Sequence, residues 1–116
     1  MSDPDCLFCK IVDGAIPADV VLETDRVLAF RDIAPKAPTH VLVIPKSHIE
    51  SIGAAEDGDV SVLGELMIAA RDVAKAEGIA DTGFRTVANT GDDGGQEVYH
   101  LHLHVLGGRA LGWPPG

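Results

Sequence analysis

The chain has 116 residues, which suits one domain with a single hydrophobic core. Hydrophobic residues make up 46% of it, which argues against disorder, and aromatic residues only 4%, so the core must rest on Val, Ile, Leu and Ala. A formal net charge of −9 makes general nucleic-acid binding a poor expectation, because an acidic surface repels phosphate backbones; a small phosphate ligand in a local site stays compatible.

The start, MSDPD, is acidic and lacks the basic end and apolar run of a secretory signal, and no stretch of about 18 consecutive apolar residues occurs anywhere. A cytoplasmic protein with no membrane span is expected. CLFCK (6–10) holds the only two cysteines, Cys6 and Cys9. In the cytoplasm such a pair is more often a metal or redox device than a structural disulfide, and two buried thiols are the plainer alternative. LFCKIVD (7–13) reads as a short helix or turn stopped by Gly14. IPADVVLETD (16–25) leads into VLAFRD (27–32) through a turn at Glu23-Thr24-Asp25, a β-hairpin pattern. IAPKAPTH (33–40), with two prolines, reads as loop. VLVIP (41–45) is a continuous apolar run, as expected of a central strand buried on both faces and closed by Pro45.

Residues 57–77 carry the clearest helical pattern. Val60, Leu63, Met67, Ala70 and Ala74 recur in steps of three and four and predict one buried stripe. Asp57 or Asp59 can cap its start and Gly78 can end it. The alanines at 69, 70, 74 and 76 would permit close packing, with another subunit as one candidate. FRTVANT (84–90) alternates like a strand and GDDGG (91–95) reads as a flexible acidic loop. VYHLHLHVL (98–106) predicts a strand with Leu101, Leu103 and Val105 on one face and His100, His102 and His104 on the other. Strands, a long helix, then strands again predict an α+β fold with a mostly antiparallel sheet.

Three histidines in strict alternation are not plain core, since burying three titratable groups side by side is costly without partners. Strand geometry puts His100 and His104 about 13 Å apart, too far for one zinc ion to hold both. Either the strand belongs to a metal enzyme, or a neutral imidazole attacks phosphorus while a neighbour binds the phosphate or handles protons.

HLHLHVL resembles the histidine-triad motif of the HIT superfamily. DIAPKAPTHVLVIPKSHI (32–49), GGQEVYHLHLHVLGGR (94–109) and the terminal WPPG (113–116) are similar, in order and spacing, to its Hint branch. His104 separates the chain from the nucleotidylyltransferase relatives, which have glutamine there. The short C-terminus separates it from the Fhit-like dinucleoside polyphosphate hydrolases. The resemblance implies a single HIT domain over residues 1–116, with a five-stranded, mostly antiparallel sheet, one long helix and one or two short ones. It implies hydrolysis of purine nucleoside phosphoramidates to AMP or GMP and an amine. His102 would be the nucleophile that forms a nucleotidyl-histidine intermediate. His104 would contact the phosphate and assist the leaving group, and His40 would support them. Asn89 and the segment Gly95 to Val98 would bind the phosphate. Phe8, Ile11, Phe30, Asp32, Ile33 and Leu42 would form the nucleoside pocket, with Asp32 accepting from the ribose hydroxyls; the plainer readings are core for the apolar positions and a strand-ending turn for Asp32.

Two departures from the animal Hint pattern stand out. Glu97 replaces the serine after GGQ, as in some bacterial relatives, and would favour cationic leaving groups such as a lysine side chain. Arg31 stands where a histidine often flanks the ribose-binding acid, and would alter base stacking. The mechanism leaves His48 and His100 without an essential catalytic role. With Cys6 and Cys9 they would complete a structural, non-catalytic Cys2His2 zinc site, as some bacterial relatives with an N-terminal CxxC do. The resemblance also implies a homodimer, with the alanine-rich helix face and Trp113 at the interface; the alternative for Trp113 is a cap on its own core. Other nucleotide conjugates, such as an adenylyl sulfate or a dinucleoside polyphosphate, are the catalytic alternative, and a nucleotide-binding scaffold the non-catalytic one.

Overall fold

The computed structural model describes residues 2–116. A short helix α1 (Leu7–Val12) precedes a hairpin of β1 (Val20–Glu23) and β2 (Val27–Arg31). The hairpin turn is closed by Thr24, whose N–H donates to the Val27 carbonyl at 2.8 Å and whose Oγ1 accepts from the Val27 N–H at 3.1 Å. Strand β3 (Thr39–Pro45), a 3-10 turn (Asp57–Asp59), helix α2 (Val60–Ala76), β4 (Phe84–Val87) and β5 (Leu103–Gly107) follow. They form one five-stranded sheet, β1-β2-β3-β5-β4, in which every neighbouring pair is antiparallel.

Every residue of β3 is buried, as its unbroken apolar run predicts. Its alternate side chains serve two cores. Val41 and Val43 join Val27, Ala29, Leu103 and Val105 under α2. Leu42 and Ile44 join Leu28 and Phe30 on the opposite face, covered by Cys6, Phe8 and Cys9 of the α1 segment. The long helix covers one side of the sheet, and the short N-terminal segment caps part of the other. That second side also carries His40 and His104, because His40, Leu42 and Ile44 alternate with Val41 and Val43, and Leu42 pairs with His104.

The predicted helix face is right in part: Ala70 and Ala74 pack on the sheet and Leu63 packs against them, but Leu66, Ala69 and Val73 complete that face, whereas Val60 and Met67 are 71% and 54% exposed. The helix has apolar residues on two sides, and the sheet takes the side where small alanines and β-branched valines allow the closest approach. Ala69, Ala70 and Ala74 therefore serve this chain's own core, not another subunit. The side-chain cap lies on the 3-10 turn, where Asp59 accepts from the Glu56 N–H in a capping box; Asp59 makes no such bond to α2 itself, and Gly78, at φ +75°, follows the last turn.

The predicted strand 98–106 is shorter at its start, and the strand predicted over 84–90 ends at Val87. His100 and His102 precede β5 in irregular backbone. The ladder with β3 stops at Val43↔Leu103 because Pro45 has no N–H and the Leu101 N–H goes instead to the Ile49 carbonyl at 2.6 Å. The alternation survives the end of the ladder: Leu101 stays in the α2 core with Leu103 and Val105. Trp113 is 82% exposed, so it does not cap the chain's own core. Among the described residues no helix is long and apolar enough to cross a membrane.

Candidate active site and metal centre

The histidines divide into two clusters. Near the start of β5, His100 is fully buried with Cys6, Cys9 and His48. The His100 Nδ1 lies 3.2 Å from the His48 Nδ1, 3.3 Å from the Cys6 Sγ and 3.5 Å from the Cys9 Sγ, and the Cys9 Sγ is 3.4 Å from the His48 Nδ1. The His100 Nε2–H donates to the Pro45 carbonyl at 2.8 Å, which leaves the neutral ring with its lone pair on Nδ1, aimed into the cluster. Bonds of about 2.0–2.1 Å to nitrogen and 2.3 Å to sulfur in a tetrahedron require donors about 3.3–3.8 Å apart, close to these separations. The sulfurs also accept N–H bonds, Cys6 from Cys9 at 3.4 Å and Cys9 from Asp3 at 3.3 Å, as anionic thiolates would. Burial pushes the Cys9 thiol up, so a nearby cation is what would favour its ionised form. Both cysteines are free. The donor set fits a Cys2His2 metal site.

The second cluster, Asp32, His40 and His104, has similar spacing but a different proton arrangement. The His40 Nδ1 accepts from the Lys36 N–H at 3.0 Å, so the neutral ring carries its proton on Nε2. That Nε2 lies 2.9 Å from the His104 Nδ1 and 3.5 Å from the Asp32 Oδ2. Donation to His104 places the His104 proton on its own Nε2. A metal on the His40 Nε2 would have to displace a proton from a ring whose other nitrogen is already an acceptor. These proton positions suit a hydrogen-bonded chain from Lys36 through His40 to His104 better than coordination.

His102 stands between the clusters. Its Nδ1–H donates to the His100 carbonyl at 2.7 Å, so the neutral ring has its lone pair on Nε2. The Phe8 ring packs edge-on against it at 5.3 Å between centroids, and the His104 ring lies 4.9 Å away.

These groups open onto a cleft of ≈ 940 Å³ with a mainly apolar lining. Of the residues expected to hold a nucleotide, all but Gln96 of the segment Gly95 to Val98 line it. Phe8, Ile11, Phe30 and Leu42 form the apolar wall, Phe30 packing edge-on against Phe8. Ile33 stands fully exposed at the rim. Asn89, Gly95, Glu97 and Val98 form the far side beside His40, His102 and His104. The strand-ending turn is present at Asp32, whose Oδ1 accepts from the Ala34 N–H at 2.8 Å after β2, and the residue also lines the cleft. Arg31 also reaches the lining, but its guanidinium is committed to Glu77 and, at 3.2 Å, to Asp19.

Two contributors lacked a signal in the sequence. One is the Lys36 N–H, which sets the His40 tautomer. The other is Gln96, buried at 7% exposure, whose amide accepts from the Gly91 N–H at 3.0 Å and donates to the Glu50 carbonyl at 2.8 Å and the Val98 carbonyl at 3.1 Å. It stitches the loop that Asn89 reaches across, its Nδ2–H donating to the Gly94 carbonyl at 2.6 Å. A Cβ on Gly94 would sit 2.3 Å from the Thr90 carbonyl oxygen, so only glycine fits there.

The HIT domain family pattern matches residues 13–111. The chain belongs to the HIT domain family. An uncharacterised HIT-like protein from Synechococcus elongatus is 53% identical over 112 residues, covering 97% of both chains. A 14 kDa zinc-binding protein from Zea mays is 48% identical over 118 aligned positions, covering all of this chain and 91% of that one. Among solved structures, a HIT family hydrolase from Legionella pneumophila superposes with a TM-score of 0.94 at 55% identity, covering 97% of this chain and 100% of that one. A histidine triad protein from Clostridium difficile also superposes at 0.94, with 46% identity and 97% of each chain covered. The α+β HIT fold and its fully antiparallel five-stranded sheet agree with these neighbours.

The electrostatics of this HIT site give an acid-stability prediction. Burial, then the neighbouring His102 and His40, push His104 down to about 4. Burial also lowers His40, against the pull of Asp32. An unfolded histidine titrates near about 6.5, so between that pH and about 4 the unfolded chain binds a proton that the folded His104 refuses. The stability is complete above pH ~6.5 and falls as the pH drops toward about 4, by on the order of 1–2 kcal/mol from His104 once solvent screening of this partly exposed ring is allowed for. Thermal melts from pH 7 to 4 should show a clearly shallower decline for His104→Gln than for the parent. Parallel declines would refute the assignment.

Proposed function

We propose that the protein is a hydrolase of the Hint branch, of the bacterial type with an N-terminal CxxC, acting on purine nucleoside phosphoramidates. The observation that carries this reading is the state of His102: its Nδ1–H is tied to a carbonyl, and its Nε2 lone pair serves a cleft of nucleotide size. The neutral Nε2 attacks phosphorus, the P–N bond breaks, and the amine departs as its nitrogen takes up a proton. The product is a nucleotidyl group on the His102 Nε2. Water then attacks phosphorus, releasing AMP or GMP and restoring the lone pair. His104, with its proton on Nε2 and kept neutral by burial, donates a hydrogen bond to a phosphate oxygen, His40 holds it in that tautomer, and solvent supplies the proton that the leaving nitrogen takes up. Asn89 and the backbone from Gly95 to Val98 hold the phosphate. The apolar wall takes the base, and Asp32 the ribose. Glu97 lies on the leaving-group side and favours a cationic amine.

Cys6, Cys9, His48 and His100 would hold zinc, which supplies a structural cross-link and no step of the reaction. A homodimer would cover the exposed face of α2 and seat Trp113; sedimentation at micromolar concentration showing only monomer would refute it. The whole works in the cytoplasm, with no nucleic-acid or membrane partner.

A substrate panel tests the activity. Adenosine 5′-phosphoramidate should release AMP faster than adenylyl sulfate or a dinucleoside polyphosphate. Faster turnover of either of those would move the protein to another conjugate class. AMP binding with no turnover of any of them would make it a nucleotide-binding scaffold.

A further inference from the structure

The metal centre and the nucleophile are joined by two contacts that a purely structural cross-link does not need. The carbonyl that fixes the His102 tautomer belongs to His100, whose side chain is a metal donor. The ring against His102 belongs to Phe8, which lies between the donors Cys6 and Cys9 in α1 and also touches the His100 ring at 5.9 Å. The helix holding Phe8 has only six residues, too short to persist unanchored, and its N-cap is the Cys6 sulfur. Nothing else described on the Phe8 side orients the His102 imidazole.

We infer that the Cys2His2 centre positions the nucleophile. With metal bound, the His100 carbonyl and the Phe8 ring lock His102 as the Nδ1–H tautomer in one orientation. Without it, a proton on the His48 Nδ1, 3.2 Å from the His100 Nδ1, and protons on the two sulfurs replace four coordinate bonds with weaker hydrogen bonds, and that arrangement relaxes. His100 and α1 shift, and His102 samples both tautomers. In one of them Nε2 carries a proton and cannot attack. His100 and Phe8 are positioning residues. The inference rests on the reading of His102 as nucleophile and of the cluster as a zinc site.

The test uses His48→Ala, which removes a donor that does not touch His102, together with chelated wild-type protein and Phe8→Leu, which keeps all four donors. Two quantities are read: kcat and KM for adenosine 5′-phosphoramidate, and the His102 ring ¹⁵N shifts, which report the tautomer without turnover. Metal loss should lower kcat by about 10- to 100-fold, with a smaller rise in KM because α1 supplies only part of the apolar wall, and should convert His102 from one tautomer to a mixture. Phe8→Leu should give a smaller fall in kcat with metal retained. Folding is checked by circular dichroism, and if His48→Ala does not fold, the chelated and Phe8→Leu samples decide. An unchanged kcat and tautomer after metal loss would overturn the inference, as would a lower kcat with His102 still wholly Nδ1–H. Failure of the underlying readings looks different: wild-type protein that binds no zinc, or turnover that survives His102→Ala.

Discussion

Alanine at position 102 should abolish AMP release from adenosine 5′-phosphoramidate and leave the fold standing. The expected loss is on the order of 10⁴-fold or more, because the residue forms the covalent bond. Neither neighbour can take over. The His104 Nδ1 is engaged by His40, and the His40 Nδ1 is engaged by the Lys36 N–H. Stability should change modestly: the substitution removes an aromatic contact with Phe8 and leaves the His100 carbonyl short of one donor, a cost of about 1–3 kcal/mol. Steady-state rates and circular dichroism check both halves. Acid-stable labelling is not expected, since a phosphorus–nitrogen bond to imidazole is acid-labile; an alkaline quench should trap nucleotide on the wild type and not on the variant. Retention of more than about one hundredth of the rate would remove His102 from the centre of the chemistry.

Replacing Cys9 by serine should cost the protein its metal and several kcal/mol of stability together. Ligand binding to the folded state alone adds stability as RT ln(1 + L/Kd), with L the free ligand concentration, and four converging donors bind far more tightly than three. A fall in Tm on the order of 10 °C is expected for a chain of this size. Wild-type protein purified without a histidine tag should carry about one zinc per chain, and chelation should reproduce the variant's melting temperature. Serine keeps a hydroxyl in a buried position, so a packing defect alone would give a smaller shift that chelation of the wild type does not match. Zinc content below about a tenth of an equivalent, or a Tm unmoved by chelation, would end the metal reading.

The strands of this fold were legible because period-two alternation survives into the structure: β3 is buried on both faces, and Leu101, Leu103 and Val105 share one core. The start of β5 was not, since its pairing depends on what lies opposite, a proline without an N–H and a competing acceptor at Ile49. The face of α2 was only partly legible, for a related reason. Two apolar stripes run along it, and only the shape of the sheet decides between them. In the site, residue types and spacing reveal the histidines, the cysteines and Asp32. They reveal neither the Lys36 N–H nor the Gln96 amide, because a backbone donor belongs to every residue and a glutamine in a loop has no distinctive pattern. The ring tautomers are likewise set by silent backbone groups, the Lys36 N–H for His40 and the Pro45 and His100 carbonyls for His100 and His102.

The position of β5 has a consequence for how the chain is made. Cys6 and His100 are 94 residues apart, yet they meet. The strand that follows His100 does not join an edge of the sheet; it enters between β3 and β4. During synthesis β4 therefore emerges with no neighbour to pair with, and both thiols emerge long before their imidazole partner. A nascent chain ending at residue 99 would lack the fourth metal donor, the nucleophile and the strand that joins the sheet's two halves. Such pairings of high sequence separation form late and slowly. The segment from His100 to Gly107 thus completes sheet, metal centre and catalytic cleft in one step, and translation products that stop before it should be inert and quickly degraded.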